Sequence, residues 1–508
     1  MRNCGNKKVL RQLGCILLLS TVTSCAARKE TTTVVAEQQM PRYSKELLLA
    51  DFDLLANSLK EAHTGVYWYA TEQQFDSMVS AQRLKITGNL STLEFYNIAA
   101  PVVAFTKEDH CDIHLPEAAT AYLKEKGKFM PLTVVSLKGK VHVLNNPTPD
   151  VSIRGYELLE INGRPIREIY ERIFQTFAAD GFILTSKYRE LDMHKLAVEY
   201  AKVIAQPDAF ELLVRNPETD EKQLLKVNAI SRTELSQMVK TPEMQKMFKT
   251  DPSPATLEFS GPETAILTCN TFSNPNYTAA GMDFKTFVQQ AFAAIKAAGV
   301  ENLVIDIREN GGGTEGNEDF LFAYLTDKEY RKYKYVQASA FSYSFYKYTD
   351  CSGRKDRKEL EADLRKEHER SEDGRILRKP GIEQPEPVQV DPYQGNVYVL
   401  TSGWTYSGGA EFSALMRSHT NAVFIGEETG GGYYGNTSGY SLELTLPKTG
   451  LQIDIPLLKF VLDVREIIPT GRGVLPDHEI LPSIQQFLEG TDATMQWTKA
   501  LIEKGRER

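Results

Sequence analysis

The residues best suited to chemistry in this 508-residue chain are Ser407-Gly408-Gly409, directly after the alternating, β-branched run Asn396-Val-Tyr-Val-Leu-Thr401. Phe412, Leu415 and Met416 then recur at helical spacing. A serine at a strand-to-helix junction projects its hydroxyl outward, and the first N–H groups of the helix stay free beside it to receive an oxyanion. Gly408 and Gly409 let a substrate carbonyl come close to the backbone. Such a turn can equally serve packing alone, so the serine needs partners.

A second glycine-rich turn, Asp306-Ile-Arg-Glu-Asn-Gly-Gly-Gly-Thr314, follows the buried strand that ends at Ile305. Open α/β sheets bind ligands at the carboxyl ends of their strands, and consecutive glycines can turn several N–H groups toward an anion. No Gly-Lys-Ser/Thr follows, so this is not a phosphate loop.

The elements that must position these turns are legible as periods. Apolar residues recur at three and four from Ser44 to Phe105 (Leu47, Leu48, Phe52, Leu55, Leu59, then Phe75, Met78, Leu84, then Leu93, Phe95, Ile98, Val102), which predicts a helical N-terminal domain over 43–125. Over 126–235 short strands replace them: Leu132-Thr-Val-Val-Ser, Lys140-Val-His-Val-Leu, Tyr156-Glu-Leu-Leu-Glu-Ile and Ala209-Phe-Glu-Leu-Leu-Val. Arg154-Gly-Tyr-Glu-Leu-Leu-Glu-Ile-Asn-Gly-Arg-Pro-Ile166 resembles the central strand and turn of a PDZ domain, a module that binds chain termini by adding a strand to a sheet edge; a generic small β domain is the alternative. From 250 to 490 apolar strands alternate with helical patterns such as Phe284 to Ala298, the mark of an α/β layer. A charged stretch within 327–389 interrupts this layer and reads as a solvated helical excursion, and 491–508 reads as a C-terminal tail helix.

Composition is that of a globular protein, with 42% hydrophobic and 25% charged residues, and the length suits two to four domains of roughly 100–200 residues. The net charge of -8 and the lack of a basic patch argue against a nucleic-acid partner. At the N-terminus Arg2, Lys7, Lys8 and Arg11 precede a short apolar run, Leu13 to Val22, and then Val22-Thr-Ser-Cys25. This resembles a bacterial lipoprotein signal: residues 1–24 would leave, Cys25 would carry the lipid, and 25–42 would tether the protein to a membrane of the cell envelope, facing the periplasm or the exterior. An ordinary cleavable leader is the alternative. No later run approaches the roughly 18 apolar residues of a spanning helix. Cys4 and Cys15 leave with the leader, and Cys111, Cys269 and Cys351, an odd set without CxxC spacing, suggest neither a disulfide framework nor a zinc site. No metal or cofactor is expected.

Four landmarks occur in order: Asp306-x-Arg308-x-Asn310-Gly-Gly-Gly313, Thr405-Tyr-Ser-Gly-Gly-Ala-Glu-Phe412, Gly426-Glu-Glu-Thr-Gly-Gly-Gly432 and Gly473-Val-Leu-Pro-Asp477. Together they resemble the C-terminal processing, or tail-specific, serine peptidases (serine peptidase family 41), which include the tricorn core. The resemblance implies a ClpP/crotonase-like α/β catalytic core, preceded by a helical N-terminal domain and a PDZ-like β domain. It makes Ser407 the nucleophile of an acyl-enzyme on polypeptide substrates, with an oxyanion hole from the N–H groups of Gly408 and Gly312. Losing one such donor typically costs about 3 kcal/mol, roughly a hundredfold in rate.

One branch of that family takes its base from a lysine about 25 residues downstream, but Gly430-Gly-Gly-Tyr-Tyr434 holds none. The tricorn-like branch uses a histidine ahead of the PDZ-like domain, where Asp112-Ile-His114 fits, so the resemblance points to His114 as general base, with His110 and His63 as rivals. Two positions depart from that branch: Ile113 stands where a serine precedes the histidine, and Thr470 where a glutamate is found. Glu466, Glu428 and Asp112 are then the candidates for an orienting acid. The implied function is a serine endopeptidase whose PDZ-like domain presents polypeptide segments or C-termini. A ligand- or peptide-binding protein, or an esterase, on the same scaffold is the alternative.

Overall fold

The computed structural model describes residues 40–248, 253–382 and 387–506. The leader, Cys25 and the tether as far as residue 39 lie outside the described residues. Near the N-terminus three helices, Lys45–Ala62, Glu72–Arg83 and Thr92–Ala104, follow one another. Capping boxes start the second and third: Thr71 with Gln74, and Ser91 with Glu94, each exchange side-chain and backbone hydrogen bonds. The apolar stripe Leu48, Phe52, Leu55 and Leu59 is wholly buried. Among the described residues no helix is long and apolar enough to cross a membrane.

A β domain follows. Strands Val134–Leu137, Lys140–Val143, Glu157–Ile161, Ala209–Arg215 and Lys222–Asn228 lie side by side in that order, all antiparallel. Asn162 and Gly163 take left-handed φ values of 51° and 71°, the two-residue turn that Asn-Gly favours, and return the chain to Arg164–Pro165. The domain has its own core, in which Leu158, Ile161, Ile169, Phe210 and Leu212 meet. Between helix Ile166–Ile173 and strand Ala209–Arg215 the chain makes a long arm, residues 174–208, carrying helices Thr185–Glu190 and Lys195–Val203. The arm lies along the outer edge of Val134–Leu137. Val134 and Met193 exchange N–H···O bonds of 2.8 and 2.7 Å, and Asp192 accepts the Ser136 N–H at 2.8 Å. This edge of the sheet is therefore already occupied by this chain, and Lys222–Asn228 forms the other.

The third part is the α/β layer. Thr264–Cys269, Asn302–Asp306, Asn396–Thr401, Val423–Gly426 and His478–Glu479 form a parallel sheet, with Ala255–Phe259 antiparallel on one edge. The C-terminal helix Ala493–Arg506 packs Ile502 against Ile266, Val304, Leu400 and Ile425 on one face. On the other face a single core joins Leu303, Ile305, Phe412 and Leu415 to Leu48, Phe52 and Leu59 of the N-terminal helices and to Ile453 and Ile455 of a long hairpin, Gly435–Thr445 with Gln452–Leu462. The interrupting stretch differs from its expectation. Its charged helix Arg354–Glu367 is present, but Tyr333–Ala338, His368–Arg370 and Ile376–Arg378 are strands of the sheet built on that hairpin. Charge frequency masked them because these short strands keep part of their residues exposed or half-exposed.

Candidate active site

The Ser407 turn and the glycine loop are stitched together by hydrogen bonds to the loop's backbone carbonyls. Ser402 Oγ donates to Arg308 O at 2.5 Å, Thr405 Oγ1 to Ile307 O at 2.9 Å, and Tyr406 N to Asn310 O at 2.9 Å. Ser407 then sits at φ 49°, ψ -122°, a conformation that L-residues rarely adopt, and helix Gly408–His419 starts on the next residue. Backbone strain at a strand-to-helix serine is what a nucleophile elbow uses to expose its hydroxyl. Two glycines are dictated by contact. A Cβ on Gly312, whose φ is +91°, would lie 2.7 Å from both Gly408 N and Ser407 Cβ, and one on Gly409 would lie 2.3 Å from Asn310 O.

Gly408 opens its helix, so its N–H has no intrahelical acceptor and lies beside the serine, as an oxyanion donor must. Gly312 differs from expectation. Its Cα abuts Ser407, but its N–H is held by Asn310 Oδ1 at 2.8 Å, and Asn310 in turn donates to Cys269 O at 3.0 Å. The buried asparagine fixes the loop by using the donor that the sequence assigned to substrate.

The imidazole brought to this turn is that of His110. Its ring stacks on Tyr406, the residue before Ser407, with centroids 5.2 Å apart and planes 29° from parallel. Burial holds its pKa below the usual imidazole value, against the opposing fields of Asp180 and Glu411. His114 is corrected to a different place. Ile113–His114 pairs with the far end of the hairpin, where Gln452 faces His114, and Nε2 is hydrogen-bonded to Asp454 at 3.0 Å. Glu108, two residues before His110, accepts instead from Thr437, which faces Lys459. Positions 452 and 459 are seven residues apart, roughly 20 Å of strand. His114 looks into a cavity of about 660 Å³ shared with His194, Glu199 and Lys202. His63 is buried, with Nδ1 taken by the Gly65 N–H and its pKa pushed down by burial to about 3.

None of the nominated acids reaches His110. Glu428 forms a two-pronged pair with Arg472 at 2.8 and 2.7 Å and accepts the Gly473 N–H. Asp112 lies beside His114, 3.9 Å away, and Glu466 is on an exposed loop. Sequence reasoning missed Asp180, which sits among Asp109, Tyr406 and Gly432 and is held by them. No local pattern marks it, since those partners lie 71, 226 and 252 residues away.

Three carboxyl groups crowd this corner. Burial, with help from the charge on Asp180, pushes Asp109 up to about 8, and burial likewise raises Glu108 well above its ordinary value. Asp109 is thus neutral in the folded protein at neutral pH but ionised when unfolded, so its native form binds the extra proton. Its contribution to stability is present below about pH 4 and is lost as pH rises toward 8. The melting temperature of Asp109→Asn is expected to fall less than that of wild type between pH 5 and 8. Parallel curves would show that Asp109 is not the buried acid.

Behind helix Gly408–His419 Lys332, 1% exposed, is enclosed by Glu318, by Glu411 at 2.9 Å and by Asp319 at 3.5 Å. Tyr333 and Asn436 also donate to Glu411, at 3.1 and 2.9 Å. Among the described residues no group of three or more His, Cys, Asp or Glu is placed to hold a metal ion.

The whole architecture is similar to mature CPAF (TM-score 0.59, 14% identity, 89% of this chain and 95% of that one) and to mature CPAF complexed with lactacystin (TM-score 0.59, 16% identity, 90% and 97%). At such identities the likeness concerns the fold. Residues 263–480 match the pattern of Peptidase family S41, a stretch that holds the parallel sheet, the glycine loop and Ser407. The chain is a serine-type peptidase, and residues 263–480 carry its match to Peptidase family S41.

Proposed function

We propose that Ser407 is the nucleophile and His110 the general base of this peptidase. The Oγ proton passes to the imidazole as Oγ bonds to the substrate carbonyl carbon. His110 returns that proton to the leaving amine when the C–N bond breaks, and the acyl-enzyme remains. Water, deprotonated by His110, then releases the acid and restores the serine. The Gly408 N–H receives the oxyanion. The observation that carries this reading is the stacking of His110 on Tyr406 beside a serine held at positive φ. Burial favours the neutral imidazole, the form a base requires.

The substrate is polypeptide. If the β domain presents it by strand addition, the edge for it is Lys222–Asn228, because Val134–Leu137 is covered by the arm. Export and lipid attachment at Cys25, placing the enzyme on the cell envelope, are supported by the basic start, the short apolar run and the small residues before that cysteine.

A fluorophosphonate probe tests the nucleophile. Wild type should be labelled, with the adduct located on Ser407 by mass spectrometry, and the labelled protein should no longer cleave casein. An unlabelled wild type, or an adduct elsewhere, would remove the assignment. Turnover of simple esters without casein cleavage would point to an esterase.

A further inference from the structure

The base has no assigned partner, and the corner around it offers one. The Tyr406 hydroxyl lies 3.4 Å from His110 Nδ1 and 3.4 Å from Asp180 Oδ1, so it stands between the imidazole and the carboxylate. Asp180 Oδ1 accepts the Asp109 N–H at 3.1 Å and Oδ2 accepts the Gly432 N–H at 3.0 Å. The next two residues are equally fixed: Gly181 N donates to Lys107 O at 2.9 Å and Phe182 N to Gly471 O at 2.7 Å.

The ionisable groups facing His110 come from three elements. Glu108 and Asp109 belong to its own segment, Asp180 to the arm, and Glu411, with the Tyr406 phenol, to the nucleophile turn and helix. Glu411 is already bonded to Lys332, Tyr333 and Asn436. Glu108 directs one oxygen to Thr437 and leaves the other, Oε1, buried without a donor. Asp180 alone of these carboxyls has both oxygens met by backbone N–H groups and a phenol alongside; burial raises its pKa, and His110 and these donors oppose that rise.

We propose that Asp180 is the positioning carboxylate for His110, acting across the Tyr406 hydroxyl, and that the arm of the β domain exists to deliver it. The arm has two anchors: Asp192–Met193 on the edge of Val134–Leu137, reinforced by Arg189 on Ser136 O, and Asp180–Phe182 between Lys107 and Gly471. The β domain thereby supplies part of the catalytic corner instead of only receiving polypeptide.

This inference rests on His110 being the base. Asp180→Asn, Asp180→Glu and Tyr406→Phe are compared with wild type by peptide hydrolysis and by fluorophosphonate labelling as a function of pH. For Asp180→Asn, kcat should fall by about a hundred- to ten-thousandfold with KM little changed. The acidic limb of kcat/KM should move to lower pH, since the carboxylate that favours the imidazolium is gone. Asp180→Glu should restore the limb and part of kcat, and Tyr406→Phe should lose about tenfold in kcat. A purely structural aspartate would change yield or melting temperature and leave the limb in place. Wild-type kcat and limb in Asp180→Asn overturn the proposal; if that variant does not fold, the same result in Tyr406→Phe does so. Absence of labelling in wild type would instead remove the nucleophile, so the two failures are distinguishable.

Discussion

Replacing Ser407 or His110 with alanine should lower kcat on the order of 10⁶-fold, and replacing both should cost little more, because a nucleophile and its base act as one unit. The Cα of Gly312 and the Gly408 N–H lie beside Ser407, and the His110 ring stacks on the preceding Tyr406, so removal of either side chain leaves only the oxyanion donor and substrate binding. His114→Ala is the informative contrast. Its imidazole is half exposed and tied to Asp454 at the far end of the hairpin, so its loss should change kcat less than twofold. Peptide hydrolysis by the three single variants and the double variant decides this. A large loss in His114→Ala with near-normal His110→Ala would reverse the assignment.

The largest effect on stability should come from Lys332→Met. The ammonium is wholly buried among Glu318, Glu411 and Asp319, and removing it leaves three carboxyl groups out of water with no cation. Breaking a buried ion pair from one side typically costs about 3–5 kcal/mol. In a unit of this size that corresponds to a fall of roughly 10 °C in melting temperature. Adding Glu411→Gln should recover part of it, because fewer charges then stay unpaired. Activity should fall as well, since Glu411 lies in the first turn of the nucleophile helix and a Gly408 Cβ would be 3.5 Å from Glu318 Oε2. Calorimetry showing a shift under about 2 °C would mean that the carboxyl groups neutralise themselves.

What was legible in the sequence follows the range of the interactions involved. The strand before Ser407, the helix after it and the Asn162–Gly163 turn are local, and their periods and turn chemistry were enough to place them. The helix expected at Phe284 to Ala298 runs from Phe284 to Ala297 for the same reason. His110 and His114 are four residues apart, and no local property separates them. The choice is made by a turn at Glu108–Cys111 and by pairing of Ile113–His114 with a strand some 340 residues later. Asp180 was out of reach because each of its partners is remote. The Gly312 N–H was misassigned because the glycines were visible and the side-chain acceptor of Asn310, two residues away, was not weighed.

The core shared by the N-terminal helices and the α/β layer makes the order of synthesis consequential. Leu48, Phe52, Leu55 and Leu59 leave the ribosome early, yet the strands they pack beside include Ile453 and Ile455. Asp51 receives its N–H donors from Lys448 and Thr449, 397 and 398 residues later. The β domain, by contrast, has every member of its own core between Phe129 and Leu235. The nascent chain therefore holds a complete middle while its first helices still lack a partner, and an apolar stripe stays uncovered for most of translation.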